Sequence, residues 1–212
     1  MTQLKNPLQH PVTVLGNRAE CLAEILRDEV NLAVWQRAPD DRWKAFVSEF
    51  CEQAGSLERF TSLAPGQSAA VALPKWALAI SGAGHWIDDI NQLIDMYQCL
   101  FEPEAIGLRI HVLGQTMCPR FHVDRVPVRL LCTYQGPGTE WLPEPLVTRP
   151  VGKGPLPEQN TTHDQIRKIP AASVALLKGE AWEGNEGKGL VHRSPEPDGT
   201  LRLVIGLDWL SS

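Results

Sequence analysis

The sequence predicts an α+β protein in which an N-terminal helical support packs on a β-sandwich or jelly roll. Helical periodicity dominates up to Pro103, and short β-rich segments separated by glycine and proline follow it. Helices first and strands afterwards are typical of α+β folds. We therefore expect a mainly helical part over 1–103 and a β part over 104–212, and we expect the two to form one compact unit.

Three segments of the first half have apolar residues at every third or fourth position, which is the spacing of a buried helix face. The predicted helices span 19–29, 39–55 and 85–101. The second begins with two aspartates, whose charge favours a helix N-terminus, and the third ends before Pro103. Between the first two helices, VNLAVWQR (30–37) alternates like a short strand.

Four segments of the second half read as strands, because they are short, β-rich and bounded by glycine or proline. They span 108–114, 128–134, 172–179 and 201–209. The glycines of QGPGTEW (135–141) predict a turn between strands, since the segment lacks the lysine and helix of a phosphate-binding loop. The stretch 148–165, with three prolines and two glycines, predicts a long loop.

Net charge, apolar runs and cysteine spacing argue against several classes of protein. The formal net charge is -5 and no basic stripe appears, which argues against a nucleic-acid partner. The sequence has no run of about 18 apolar residues, so it predicts no membrane-spanning helix. The N-terminus lacks the apolar core of a secretory signal. The five cysteines form no CxxC pair and read as reduced thiols, so we expect a cytoplasmic protein. They are Cys21, Cys51, Cys99, Cys118 and Cys132.

The second half also carries a split set of candidate metal ligands. His122 and Asp124 form an H-x-D motif, and His192 follows far downstream. Two histidines and one carboxylate are the ligand set of the facial triad in non-haem iron(II) enzymes. If the motif lies in a strand, His122 and Asp124 share a face and can point to one metal, with His192 supplied by another strand.

Arg202 is a candidate ligand for a bound co-substrate. The turn-forming segment PEPDG (195–199) predicts a hairpin that sets His192 directly opposite Arg202. An arginine beside the metal can bind the distal carboxylate of a chelating dicarboxylate such as 2-oxoglutarate. In this register Val204 and Gly206 line the cavity. Three alternate residues pack outward against the helices: Leu203, Ile205 and Leu207.

Two other interpretations use the same residues. The charges could form a salt-bridged strand surface, with Asp124 paired to Arg125 or Arg129, and Arg202 paired to Asp208. Alternatively, Cys118 or Cys132 could join the histidines, and thiolate ligands would suit structural or stored zinc. Buried, inert thiols are the simpler interpretation of both cysteines.

Over about residues 105–212, the order of His122, Asp124, His192 and Arg202 resembles the iron(II)- and 2-oxoglutarate-dependent dioxygenases. Longer segments are similar to an uncharacterised bacterial family, DUF1826, whose members tend to be associated with zinc-responsive genes. The segments that carry this second resemblance are CPRFHVD, RLLCTYQGPGTEW, VHRSPEP and RLVIGLDW.

The resemblance implies a double-stranded β-helix core (jelly-roll, cupin-like) with the helical part packed on it. It further implies iron(II) on His122, Asp124 and His192, with 2-oxoglutarate on Arg202. The expected reaction is hydroxylation of an unknown small-molecule or protein substrate. The alternative is a non-catalytic zinc-binding protein of metal homeostasis on the same scaffold.

Overall fold

Two β-sheets organise the chain. The computed structural model describes residues 10–150 and 154–210. Within these residues the strands are β1 (Val12–Gly16), β2 (Val30–Trp35), β3 (Leu57–Leu63), β4 (Ala105–Leu113), β5 (Val128–Gln135), β6 (Glu140–Trp141), β7 (Arg167–Lys168), β8 (Val174–Lys178), β9 (His192–Arg193) and β10 (Arg202–Leu210). The larger sheet has the order β1-β2-β8-β5-β10-β4-β3, and the smaller has the order β7-β6-β9.

Two α-helices form where the sequence predicts them, α1 (Asp41–Ala54) and α2 (Ala83–Phe101). The Asp40 carboxylate caps α1 by accepting from the backbone N–H of Arg42 at 2.8 Å. Gly55, with φ of +60°, ends that helix. The segment predicted as the first helix is instead a 3-10 helix, Ala19–Leu26. Four shorter 3-10 helices are Ala69–Ala72, Lys75–Ala79, Glu144–Leu146 and His163–Gln165.

The helices cover one face of the larger sheet and bury the main core. Trp86, Phe46 and Phe50 stack on one another between α1 and α2. The Tyr97 hydroxyl ties α2 to the sheet by donating to the Val128 carbonyl at 2.9 Å. The outward-facing residues of β10 join this core, as the alternation predicts: Leu203, Ile205 and Leu207.

The smaller sheet faces the opposite side of the larger one. Trp141 of β6 packs with residues of β2 and β8 in a second apolar cluster. The two sheets thus pack on each other through this cluster. The two sheets diverge beside this cluster, and the cavity that they enclose holds the candidate site.

The prediction of a mainly helical N-terminal support is not confirmed, because this part also supplies strands. It supplies β1 and β2 at one edge of the larger sheet and β3 at the other. Every residue of β2 before Trp35 is buried, because β2 lies between β1 and β8 with apolar layers on both faces. Strands from 1–103 thus hydrogen-bond to strands from 104–212 within one sheet.

None of the helices in 10–150 and 154–210 is long and apolar enough to cross a membrane. Residues 1–9, which carry most of the segment predicted not to be a secretory signal, lie outside the described residues. So do 151–153, within the predicted loop, and 211–212.

Candidate metal centre

The backbone of β9 brings the two ends of the H-x-D…H pattern together. The His122 N–H donates to the His192 carbonyl at 2.9 Å, and the His192 N–H donates to the His122 carbonyl at 3.0 Å. This antiparallel bridge places the two imidazole rings 4.5 Å apart between centroids. Both rings line a cavity of about 250 Å³.

Asp124 completes a group of three ligand atoms. One Asp124 oxygen lies 3.5 Å from His192 Nε2, and the other lies 4.0 Å from His122 Nε2. All three candidate ligand atoms lie within 4.8 Å of one another. Two neutral nitrogens and one carboxylate at this spacing can hold a divalent transition metal on one face and leave its other face open.

Both imidazoles are oriented by backbone carbonyls. His192 Nδ1 lies 3.1 Å from the Leu190 carbonyl, and His122 Nδ1 lies 3.0 Å from the Arg120 carbonyl. A carbonyl can only accept, so each Nδ1 carries the hydrogen and each Nε2 keeps its lone pair. Burial lowers the pKa of His192, which favours the neutral form that binds metals.

Asp124 is fixed by an arginine and keeps one oxygen without a partner. Arg129 Nη1 donates to Asp124 Oδ1 at 2.8 Å, so that part of the salt-bridge interpretation is correct. Asp124 Oδ2 is buried and has no hydrogen-bond partner. A buried carboxylate oxygen with nothing to accept from costs free energy, and a metal ion between it and the two Nε2 atoms would remove that cost.

Arg202 reaches the same cavity from the larger sheet. Its guanidinium donates to the Pro137 carbonyl at 2.9 Å, to Thr139 Oγ1 at 2.9 Å and to Thr133 Oγ1 at 3.3 Å. No carboxylate pairs with it within 10–150 and 154–210, and Asp208 binds Arg109 and Arg129 instead. Burial lowers the pKa of Arg202 to about 10. A buried guanidinium held only by neutral groups suits a ligand carboxylate.

The predicted hairpin between His192 and Arg202 is wrong. His192 pairs with Trp141 of the smaller sheet, whereas Arg202 pairs with Leu113 of the larger sheet. The loop between them crosses from one sheet to the other, and its turn residues serve that crossing. The two side chains therefore line the cavity from different sheets and are not neighbours along one ladder. Val204 and Gly206 line it with Arg202, as the alternation predicts.

The H-x-D motif is also not a regular strand. Only His122 makes a bridge, and Asp124 lies in a loop. Pro119 and Pro127 flank the motif, and proline cannot donate to a ladder. The side chains of His122 and Asp124 converge because that loop bends around the end of β8.

The end of β8 positions Asp124 through close backbone contact. The Glu180 N–H donates to the Asp124 carbonyl at 2.8 Å, and the Gly179 N–H donates to the Pro127 carbonyl at 2.8 Å. A Cβ at Gly179 would lie 2.1 Å from the Val126 carbonyl oxygen and 2.8 Å from that of Asp124. Only glycine allows this approach, and no local sequence pattern predicts it.

We expect Gly179→Ala to displace the Asp124 loop. The clash should lower the free energy of unfolding by about 1–3 kcal/mol and weaken metal binding at least about tenfold. Denaturant unfolding and metal titration measure the two effects. Gly84→Ala is the matched control, because no atom lies within 4 Å of a Cβ built there. Equal metal affinity in the two variants would contradict this role of Gly179.

Neither candidate cysteine joins the ligand group. Cys132 is fully buried on the helical face of the sheet, where its thiol lies 3.6 Å from the Ala172 carbonyl. Cys118 is exposed at the cavity wall and lies outside the cluster of His122, Asp124 and His192. The thiolate ligand that would favour zinc is thus lacking among the described residues.

Comparisons with known proteins identify a family and similar folds. The family model described as "Protein of unknown function (DUF1826)" matches residues 16–208. No curated protein matches the chain. The solved dioxygenase for auxin oxidation from rice is similar in fold, with a TM-score of 0.51 and 14% identity over 95% of this chain and 83% of that chain.

Two further solved structures are similar at lower scores. A Pseudomonas putida prolyl-4-hydroxylase has a TM-score of 0.49 at 10% identity, covering 92% of this chain and 99% of that chain. The Arabidopsis thaliana dioxygenase for auxin oxidation 1, in complex with 2-oxoglutarate, has a TM-score of 0.49 at 12% identity. That match covers 96% of this chain and 93% of that chain.

Proposed function

We propose that this chain, which belongs to the DUF1826 family of proteins of unknown function, is an iron(II)- and 2-oxoglutarate-dependent oxygenase. Its substrate would be hydroxylated at a C–H bond. The proposal is carried by one arrangement: a group of three convergent ligand atoms, two of them from histidines that line the cavity, and a buried arginine that lines the same cavity and has no acidic partner among the described residues. The first group suits the metal, and the second suits the distal carboxylate of the co-substrate.

We further infer that the core is a double-stranded β-helix. The consecutive strands β4, β10, β5 and β8 of the larger sheet would form one layer. The bridge at His122 followed by β9, β6 and β7 would form the other. The fold shared with the rice dioxygenase supports this inference.

In the proposed reaction, bound iron(II) supplies the redox chemistry by which substrate R–H, 2-oxoglutarate and dioxygen become R–OH, succinate and carbon dioxide. His122 and His192 offer Nε2, and Asp124 offers the buried oxygen that now lacks a partner. Arg129 holds the other Asp124 oxygen and so fixes the carboxylate in place.

Arg202 would orient the co-substrate from the closed end of the cavity. Thr133 and Thr139 hold its guanidinium without neutralising it, so its charge remains available to a carboxylate. Val204 and Leu131 add apolar surface to the same cavity, which would exclude water from a bound dicarboxylate.

The test is 2-oxoglutarate turnover. With iron(II), ascorbate and air, the purified protein is expected to release succinate and carbon dioxide slowly even without its substrate, and chelation of the metal should stop the release. Anaerobic titration of the iron-loaded protein with 2-oxoglutarate provides the second measurement. Failure of the metal-loaded protein to bind 2-oxoglutarate would contradict the proposal.

A further inference from the structure

The metal cavity is lined by cationic and imidazole side chains, and no aspartate or glutamate side chain lines it within the described part of the chain. Four arginines and three histidines contribute to its wall: Arg109, Arg129, Arg193, Arg202, His111, His122 and His192. The acids that pair with these arginines are not among the residues that line the cavity. The proposed metal and co-substrate account for part of this lining, but not for Arg109 and His111.

The charges around the cavity leave a cationic excess. The four guanidinium groups have three acidic partners, which are Asp124, Glu140 and Asp208. A divalent metal adds two positive charges and bound 2-oxoglutarate removes two, so one positive charge remains when the imidazoles are neutral. Burial lowers the pKa of His111, which favours its neutral form.

Arg109 is a solvent-exposed arginine of the cavity wall. Its Nε donates to Asp208 Oδ2 at 2.6 Å, and Asp208 is shared with Arg129. The two terminal nitrogens of Arg109 make no hydrogen bond within 10–150 and 154–210. The Arg109 side chain is 40% exposed, whereas Arg202 at the closed end is 8% exposed. Arg109 can therefore meet a ligand that enters from solvent.

Apolar side chains lie near the Arg109 guanidinium. Phe60 lies opposite Arg109 in the sheet, with the guanidinium carbon 4.9 Å from its ring centroid, and the residue is 52% exposed. Gly107 makes room for that ring, because a Cβ there would lie 2.7 Å from Phe60 Cε2. Leu113 and Met117 line the adjoining cavity wall, and Met117 is 40% exposed.

One acidic residue, Glu58, lies near Arg109 and His111. Glu58 of β3 lies opposite His111, as Phe60 lies opposite Arg109. Glu58 is exposed and outside the cavity wall, so water screens its charge. Glu58 is therefore not the partner of the two terminal nitrogens of Arg109.

We propose that the substrate of the oxygenase is a small organic acid with an apolar body, and that Arg109 binds its carboxylate at the open side of the cavity. This inference rests on the proposed function, because it assigns Arg202 and the metal to 2-oxoglutarate and leaves Arg109 for the substrate. The apolar body would contact Leu113 and Met117. Arg109 is thus a specificity-determining residue that selects anions over neutral and cationic molecules.

The test uses the full chain loaded with iron(II) and 2-oxoglutarate without oxygen. It is titrated with a panel of aromatic and aliphatic monocarboxylates, each paired with its neutral primary amide. The readouts are the thermal unfolding midpoint and the visible absorption of the iron–2-oxoglutarate chelate. Each acid that binds is expected to do so roughly tenfold or more tightly than its amide, because a bidentate arginine–carboxylate pair is charge-assisted.

Three variants assign the preference to Arg109. Arg109→Gln should remove the preference for an acid over its amide. Arg109→Lys should retain part of that preference, because lysine keeps the charge without the planar fork. Arg59→Gln is the control, since Arg59 adjoins Phe60 on the same strand but faces the other side of the sheet. It should bind acids as the unmodified protein does.

The outcomes separate the two proposals. Amides that bind as well as their acids across the panel, or an acid preference that survives Arg109→Gln, would overturn the anionic-substrate inference. An unmodified protein that binds acids through Arg109 but does not bind 2-oxoglutarate would overturn the oxygenase function and leave the anion site standing.

Discussion

Replacing His192 by alanine is expected to abolish metal binding and to lower succinate formation from 2-oxoglutarate by more than about a hundredfold. Loss of a residue that merely supports a metal ligand typically costs about ten- to a hundredfold, and loss of a ligand should exceed that. His192 is 4% exposed and its Nε2 faces Asp124, so no other imidazole can replace it from solvent. Elemental analysis after anaerobic loading gives the metal stoichiometry.

His163→Ala is the matched control for this substitution. His163 is exposed in the loop before β7 and is not among the residues that line the metal cavity. Because a metal that binds only the folded state stabilises it, iron should raise the unfolding temperature of the control and not that of His192→Ala. Stoichiometric metal in the His192→Ala protein would contradict the assignment of this ligand.

The sequence predicts the long elements of the fold well, because each has its own periodicity. The apolar stripe and the capping aspartate of α1 are both local signals, and so is the alternation of Arg202, Val204 and Gly206 in β10. The smaller sheet was missed. Its strands β6, β7 and β9 have two residues each, and two residues show no period.

The site was predictable as a set of residues but not as a geometry. The identities of His122, Asp124, His192 and Arg202 suggested the chemistry. The structure brings the two histidines and Arg202 to one cavity and places Asp124 beside the histidines. The segment between His192 and Arg202 is not the predicted hairpin. Long-range pairing decides which sheet each strand joins, and turn residues do not encode that pairing.

Residues that support the ligands are harder to recognise in a sequence. Arg129 entered only as an alternative partner of Asp124, yet it pairs with that carboxylate and also with the buried Asp208. Gly179 allows two backbone segments to approach that are more than fifty positions apart in the chain. Such contacts depend on the completed fold, and neither residue belongs to a local motif.

Arg202→Met is expected to move stability and co-substrate affinity in opposite directions. The unmodified guanidinium is buried without an acidic partner, and burial lowers its pKa to about 10. A cation whose pKa falls on folding destabilises the folded state at every pH below that value, and the penalty fades only as the pH rises through about 10. Replacing it by an apolar side chain of similar length should raise the free energy of unfolding of the protein without 2-oxoglutarate by about 1 kcal/mol.

The same substitution should weaken 2-oxoglutarate binding by about a hundredfold, because truncation of one partner of a buried charge pair costs about 2–5 kcal/mol. Denaturant unfolding without ligand and anaerobic titration with 2-oxoglutarate measure the two effects. Arg18→Met, at an exposed pair with Glu20, should change neither.

Metal binding should persist in Arg202→Met, since Arg202 does not contact the ligand cluster. Undiminished 2-oxoglutarate affinity in this variant would show that the buried arginine serves another ligand, whereas joint loss of metal and co-substrate would indicate that the cavity itself had changed.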